Sequence, residues 1–261
     1  MIGVFDSGLG GLSVLAALVE ALPHADFIYY ADTAHVPYGN KSDAQIQARV
    51  LSIGEALVQS GCQLLVAACN TATATAVDAL RQAHPGIPVV GIEPGIKPAA
   101  QLSVNRRIAV LATEATAKSA RLAQLIRTHA ANVEVFIEPC PGWATHVEQL
   151  QLDDPALAAD VRQRVQPLLD KGVDCLVLGC THYSFLAPLL RGIAGPHIHL
   201  IDVADAVARQ TQRLATPLRQ TQGNGKIILR ASAHPEKLHA ALGKLHLSHL
   251  AARLHPLHQP A

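Results

Sequence analysis

The sequence predicts an α/β protein built from two similar open parallel-sheet halves, related by a pseudo-twofold duplication, with a site in the cleft between them. Three observations carry this. Short apolar runs alternate with amphipathic stretches, the pattern of parallel strands covered by helices on both faces. Two look-alike segments, GCQLLVAACNTA from Gly61 and GVDCLVLGCTHY from Gly172, align so that Cys69 stands opposite Cys180. The run at 2–5 also precedes Cys69 by about the distance that the run at 108–111 precedes Cys180, which marks an internal repeat.

In chain order, IGVF (2–5), DFIYYA (26–31), LLVAA (64–68), PVVGI (88–92), RIAVLA (107–112), VEVFI (133–137), CLVLG (175–179) and HIHLID (197–202) read as strands. Each is too short for a typical helix and rich in the residues that fill buried strands. The Ala- and Leu-rich segments between them read as helices. Two prolines and a glycine around residues 93–102 predict a hinge. Beyond Asp202 come a helical pattern at 204–214, a polar loop QTQGNG at 220–225, a strand IILRA at 227–231 and a closing helix. That unit is too small to fold alone and is expected to pack back onto the first half. The division expected is therefore residues 1–97 completed by 208–261, with 98–207 as the second half.

With 261 residues, 49% hydrophobic and 16% charged, the chain can bury a large core. Lys plus Arg number 21 against 20 Asp plus Glu, a formal charge of +1, and no basic stripe is present to neutralise a phosphate backbone. Nucleic acid is not an expected partner. The start, MIGVFDSGLGG, lacks the features of a secretory signal, and no apolar run approaches the roughly 20 residues of a membrane helix. A cytoplasmic protein is expected, and its five cysteines then read as reduced thiols rather than a disulfide framework.

The segment DSGLGGL (6–12) follows the first strand and opens a helix, as a dinucleotide-binding turn would, with Asp32 where a ribose-binding acid belongs. The fingerprint fails, because G-x-G-x-x-G from Gly8 requires glycine where Ser13 stands. A helix start whose free N–H groups bind a carboxylate is the better reading. Cys62, Cys140 and Cys175 read as packed thiols. Cys69 and Cys180 differ, since each ends a strand and precedes a turn into a helix, where a thiol pKa is expected to fall. No metal is expected, because C-x-x-C is absent and the Cys180 to His182 spacing has no matching second pair. His182 lies near enough to Cys180 to share its proton, whereas His234, His239, His246, His249, His255 and His258 read as surface groups. Asp6 ends the first strand, where an acid is either a helix cap or functional.

These residues resemble the cofactor-independent aspartate/glutamate racemase superfamily, and within it the glutamate racemases. The resemblance spans nearly the whole chain and rests on FDSGLGGLSV (5–14), YYADTAHVPYGNKS (29–42), ACNTATA (68–74), VVGIEPGIKPA (89–99) and LVLGCTHY (176–183). It implies two flavodoxin-like domains and interconversion of L- and D-glutamate without a cofactor, supplying D-glutamate for peptidoglycan synthesis. Cys69 and Cys180 match the family's acid/base thiols, assisted by Asp6, Glu148 and His182. Asp6-Ser7, Tyr38-Gly39, Asn70-Thr71 and Thr181-His182 match the dipeptides that hold glutamate. The resemblance further implies that Cys69 serves D-glutamate and Cys180 L-glutamate; oligomeric state stays open, with a homodimer as one arrangement. The chain departs from the pattern in CPGWATHVEQ (140–149), where Trp143 and His146 replace aliphatic or Pro-like residues near Glu148. Ser184 stands where Pro is usual, and ATEATAKSARL (112–122) lacks the family's Gly and Tyr.

Racemisation removes the α-proton from one face and returns one to the other, so two groups must flank Cα. One thiol must be ionised while the other is protonated, which predicts matched pKa values. Helix-start N–H groups can hold the α-carboxylate as charge builds, and closure about residues 93–102 would exclude water. Three alternatives are a two-lobed binding protein, a related aspartate racemase or decarboxylase, and a pyridoxal-phosphate enzyme, for which only Lys97 lies near a strand end.

Overall fold

The computed structural model describes residues 1–218 and 222–255. Gln220 and Thr221 of the expected polar loop, and His258, lie outside the described residues. Among the described residues nine strands form two parallel sheets, and the match between them shows the duplication directly.

The first half runs β1 (Ile2–Asp6), α1 (Leu12–Ala21), β2 (Phe27–Ala31), α2 (Asp43–Gln59), β3 (Leu64–Ala67), α3 (Asn70–Ala83) and β4 (Val89–Gly91). After α4 (Ile96–Leu102), the second half repeats the scheme. It runs β5 (Arg107–Ala112), α5 (Glu114–Ala117), α6 (Ala120–His129), β6 (Glu134–Pro139), α7 (Trp143–Glu148), α8 (Pro155–Asp170), β7 (Cys175–Gly179), α9 (Ala187–Ala194) and β8 (His199–Ile201). The chain ends with α10 (Ala204–Ala215), β9 (Ile227–Ala231), α11 (Pro235–Lys244) and a 3-10 helix at Ser248–Arg253.

Strand order is β4-β3-β1-β2-β9 in one sheet and β6-β5-β7-β8 in the other, so β4-β3-β1-β2 corresponds to β8-β7-β5-β6. β9 adds to the first sheet beside β2, with Phe27 opposite Ile227 and Ala31 opposite Ala231. The central strands β1, β3 and β7 are buried at every residue, as continuous apolar runs require when helices cover both faces. In each half the strand leading to the cysteine starts just after a left-handed glycine that ends a helix, Gly61 at φ 87° and Gly172 at φ 82°. Only glycine adopts that conformation without strain.

The connections β1 to β2 and β3 to β4 depart to opposite sides, so strand order reverses between β1 and β3, and likewise between β5 and β7. Such switch points leave a crevice at the carboxyl ends of the strands. Asp6 and Cys69 flank the first crevice, Thr113 and Cys180 the second. The break predicted at residues 93–102 is shorter than expected, because the chain is already helical from Ile96. Pro98 falls in the first turn of α4, where a missing N–H is no loss. The edge strands β4 and β8 are also shorter than the apolar runs suggested, at three residues each.

One apolar cluster joins the halves, running from Val4 and Leu15 through Val90 to Ala109, Leu176 and Val161. Among the described residues no helix is long and apolar enough to cross a membrane.

Candidate active site

On the first half, Cys69 caps α3: its Sγ accepts from the Ala72 amide at 3.5 Å. Its Sγ–H in turn donates toward Ser7 Oγ at 3.8 Å, while the Ser7 hydroxyl donates to Asp6 Oδ1 at 3.5 Å. Asp6 is 1% exposed, and its Oδ2 accepts from the Gly11 amide at 2.6 Å. The Asp6 carboxylate thus binds the start of α1 and faces the thiol as well. Burial raises the Asp6 pKa, with the nearby His182 opposing. Burial also pushes the Cys69 thiol well up, and the Asp6 charge adds to it. The expected lowering of this thiol by its helix start is outweighed: one amide bond at 3.5 Å cannot offset complete burial beside a carboxylate.

On the second half, Cys180 Sγ lies 3.6 Å from His182 Nδ1, and His182 Nε2 lies 2.5 Å from Glu148 Oε1. Burial would lower the His182 pKa, but its bonds to Cys180 and Glu148 outweigh burial and raise it well above the ordinary value. Protonated, the ring donates to the thiol sulfur on one side and to the carboxylate on the other.

The halves meet through the glycine-rich turn. Glu148 Oε1 accepts from the Leu9 amide at 2.6 Å, so the carboxylate received by this helix start comes from the chain itself. A Cβ at Gly8 would stand 2.0 Å from Glu148 Oε1, and one at Gly10 would stand 2.4 Å from His182 Nδ1. Glycine is therefore required at both points for close approach between the halves, not for a dinucleotide. The thiols are 5% and 7% exposed, and each lies near enough for Cys180's charge to raise the Cys69 pKa.

The remaining sequence-predicted residues gather at the same junction. Thr71 Oγ1 lies 3.0 Å from Thr113 Oγ1 and 3.4 Å from Thr116 Oγ1, across the two halves. Asn70 Nδ2 and Thr181 Oγ1 are buried without a hydrogen-bond partner among the described residues. Buried polar atoms are normally satisfied, so orphans on the residue after each cysteine mark a place for a polar ligand. Gly39 lines a cavity of about 170 Å³ with Pro37 on one side and Thr113, Cys140, Gly142 and Tyr183 on the other. Tyr38 points inward, its hydroxyl donating to Asp32 Oδ2 at 2.6 Å. Asp32 binds Arg49 Nε and Nη2 at 3.0 and 2.9 Å, so this acid anchors the Tyr38 loop rather than a ribose.

Thr113 was not among the sequence-assigned residues, although its place after β5 corresponds by the repeat to that of Ser7 after β1. All five cysteines are free thiols. Burial raises Cys62 to about 11 and Cys175 to about 12, as for packed thiols. No three His, Cys, Asp or Glu side chains converge as a metal-ligand set among the described residues.

Two buried thiols at the switch points of duplicated sheets, each with its own acid or imidazole, have the groups that moving a proton between the faces of a carbon centre requires. A family model described as Asp/Glu/Hydantoin racemase matches residues 2–211. A glutamate racemase of Methylococcus capsulatus is 48% identical over 212 residues, 81% of this chain and 78% of that protein. The crystal structure of the Francisella tularensis glutamate racemase in complex with D-glutamate is similar at a TM-score of 0.83 and 28% identity, over 98% of this chain and 96% of that one. The Escherichia coli glutamate racemase with L-glutamate and an activator is similar at a TM-score of 0.81 and 31% identity, over 94% of each chain. The chain belongs to the Asp/Glu/hydantoin racemase family, and these relatives within it are glutamate racemases.

Proposed function

We propose that the chain is a glutamate racemase, interconverting L- and D-glutamate by cofactor-independent acid/base chemistry and supplying D-glutamate for peptidoglycan synthesis. The observation that carries the mechanism is that Cys69 and Cys180 end equivalent strands of the two sheets, near enough to act on each other electrostatically. From L-glutamate, Cys180 as thiolate takes the Cα proton, and Cys69 as thiol gives its own proton to the opposite face. From D-glutamate the roles reverse. Each turnover leaves the two protonation states exchanged, so the enzyme resets through solvent or by running the other way.

Burial and the Asp6 charge favour a proton on Cys69, the state in which it can deliver that proton to the carbanion formed from L-glutamate. Asp6, through Ser7, assists Cys69; His182, held by Glu148, assists Cys180. Asn70, Thr71 and Thr181 with nearby backbone amides hold the carboxylates, and Ser7, Tyr38 and Gly39 close the site. Charge building on the α-carboxylate is stabilised by these fixed dipoles in a site screened from water.

Residues 1–97 with 208–261 move as one lobe and 98–207 as the other, opening the site for exchange. A cytoplasmic location suits this substrate and free thiols, and a second copy of the chain is one arrangement for its assembly. Chiral chromatography of L- and of D-glutamate, without added cofactor and with reductant, tests the proposal: each enantiomer should run to an equal mixture. Tight binding of glutamate without racemisation would identify a binding protein instead, and racemisation of aspartate in preference would move the chain to that branch.

A further inference from the structure

We propose that Trp143 is a positioning residue, clamping α7 so that Glu148 stays on His182. The proposal rests on reading Cys180 as an acid/base thiol served by His182. Helix α7 is six residues long, too short to hold its own shape, so the aim of Glu148 must come from tertiary contacts. Trp143 and Glu148 stand at its two ends, and both reach the 3-10 helix Thr181–Leu186 that follows Cys180. Trp143 meets the Tyr183 ring edge-on, with centroids 5.2 Å apart and planes at 63°, while Glu148 meets His182. Tyr183 is held in turn, its hydroxyl donating to the Cys140 carbonyl at 3.0 Å.

The other side of the indole binds α8. Trp143 Nε1 donates to Asp160 Oδ2 at 2.7 Å, and Arg164 Nε donates to the same oxygen at 2.9 Å. Arg164 also donates to Glu138 Oε1 at 3.0 Å and to the Pro139 carbonyl at 2.9 Å, at the end of β6. The indole, 1% exposed, thereby joins α7 to the sheet frame on one side and to the cysteine's own turn on the other. An aliphatic or Pro-like residue at this position could fill the space but could not donate to Asp160. His146, the second departure in the same segment, approaches the α8 cap residue Asp154 at 3.6 Å, so both unusual residues face α8.

The test uses the full chain with Trp143→Leu, Trp143→Phe and Asp160→Asn, read by kcat, KM, Tm and the NMR signal of the His182 imidazole N–H. The wild-type proton in the short bond to Glu148 should resonate far downfield. In Trp143→Leu that signal should weaken or move upfield, and kcat should fall by about tenfold to a hundredfold, the size of loss a small misplacement produces, with little change in KM. Trp143→Phe, which keeps the contact with Tyr183, should lose less, and Asp160→Asn, which keeps an acceptor for the indole, should stay near wild type. An unmoved His182 signal in Trp143→Leu overturns the proposal, whether Tm or kcat falls or not. If the leucine variant does not fold, Trp143→Phe decides by the same signal. Racemisation surviving in Cys180→Ala would instead overturn the two-thiol reading, independently of that signal.

Discussion

At the scale of single residues, the two thiols are alike in placement and unlike in support. Cys69 has a carboxylate behind it and Cys180 an imidazole, so the proposed mechanism requires both and lets neither substitute for the other. Cys69→Ala and Cys180→Ala should each abolish racemisation while the circular dichroism spectrum stays native; near wild-type turnover in either would remove the mechanism. Cys62→Ala, Cys140→Ala and Cys175→Ala should keep activity and lose up to a few kcal/mol of stability, as buried thiols do. Asp6→Asn and His182→Asn should lower kcat more than they raise KM, and unequally in the two directions, because each assists one thiol. The two kcat/KM values must still fall together, since enantiomers are equal in energy, so any asymmetry in kcat is matched by an equal asymmetry in KM. Equal kcat losses both ways would contradict the division. Cys69, Cys180 and His182 were legible in the sequence because a repeat and a strand's end fix position closely. Glu148 was not: it lies on a one-turn helix whose cap, Gly142, offers no side-chain signal, and only the family resemblance pointed to it.

At the scale of elements, the loop from Asp32 to Asn40 depends on one buried ion pair. Burial alone would raise the Asp32 pKa, but Arg49, Tyr38, Ser232 and His35 outweigh it and hold the carboxyl below its ordinary 3.8. A depressed folded pKa means that the stabilisation is complete above the unfolded value and is lost as pH falls through the folded one. Asp32→Asn should cost about 2 kcal/mol, less than a fully buried pair because Arg49 is partly exposed. Its Tm deficit should be constant above about pH 5, where an ordinary carboxyl is ionised, and should close as pH falls below 3.8. A deficit that persists unchanged into acid would show that the charge is not what holds the loop. KM should rise too, since Tyr38 and Gly39 lose their anchor. The sequence made the strands plain because buried strands are apolar throughout, but once the dinucleotide fingerprint failed it left Asp32 without a role, since no linear pattern pairs it with Arg49 and Tyr38. It also could not end the edge strands β4 and β8, where pairing on one side alone lets the ladder stop early.

At the scale of the whole molecule, one core spans both sheets, so the lobes cannot part as independent bodies. Opening must be small and concentrated at the polar contacts across the cleft. Those contacts are Thr71 with Thr113 and Thr116, Leu9 with Glu148, and Arg121 with Glu93 and Asp78 at 2.6 and 3.4 Å. Contacts of this kind between distant segments are invisible in a linear pattern, which is why Arg121 carried no signal and Thr113 only that of the repeat. The arrangement leaves one thiol on each lobe, and the central claim is that they work on opposite faces of the same carbon. Deuterated water tests it most directly. Starting from L-glutamate at low conversion, the D-glutamate formed should carry deuterium at Cα from its first appearance, because the proton delivered comes from Cys69, already exchanged with solvent. Substantial retention of the original proton, measured by mass spectrometry or NMR, would mean that a single base carries it across and would contradict the two-thiol account.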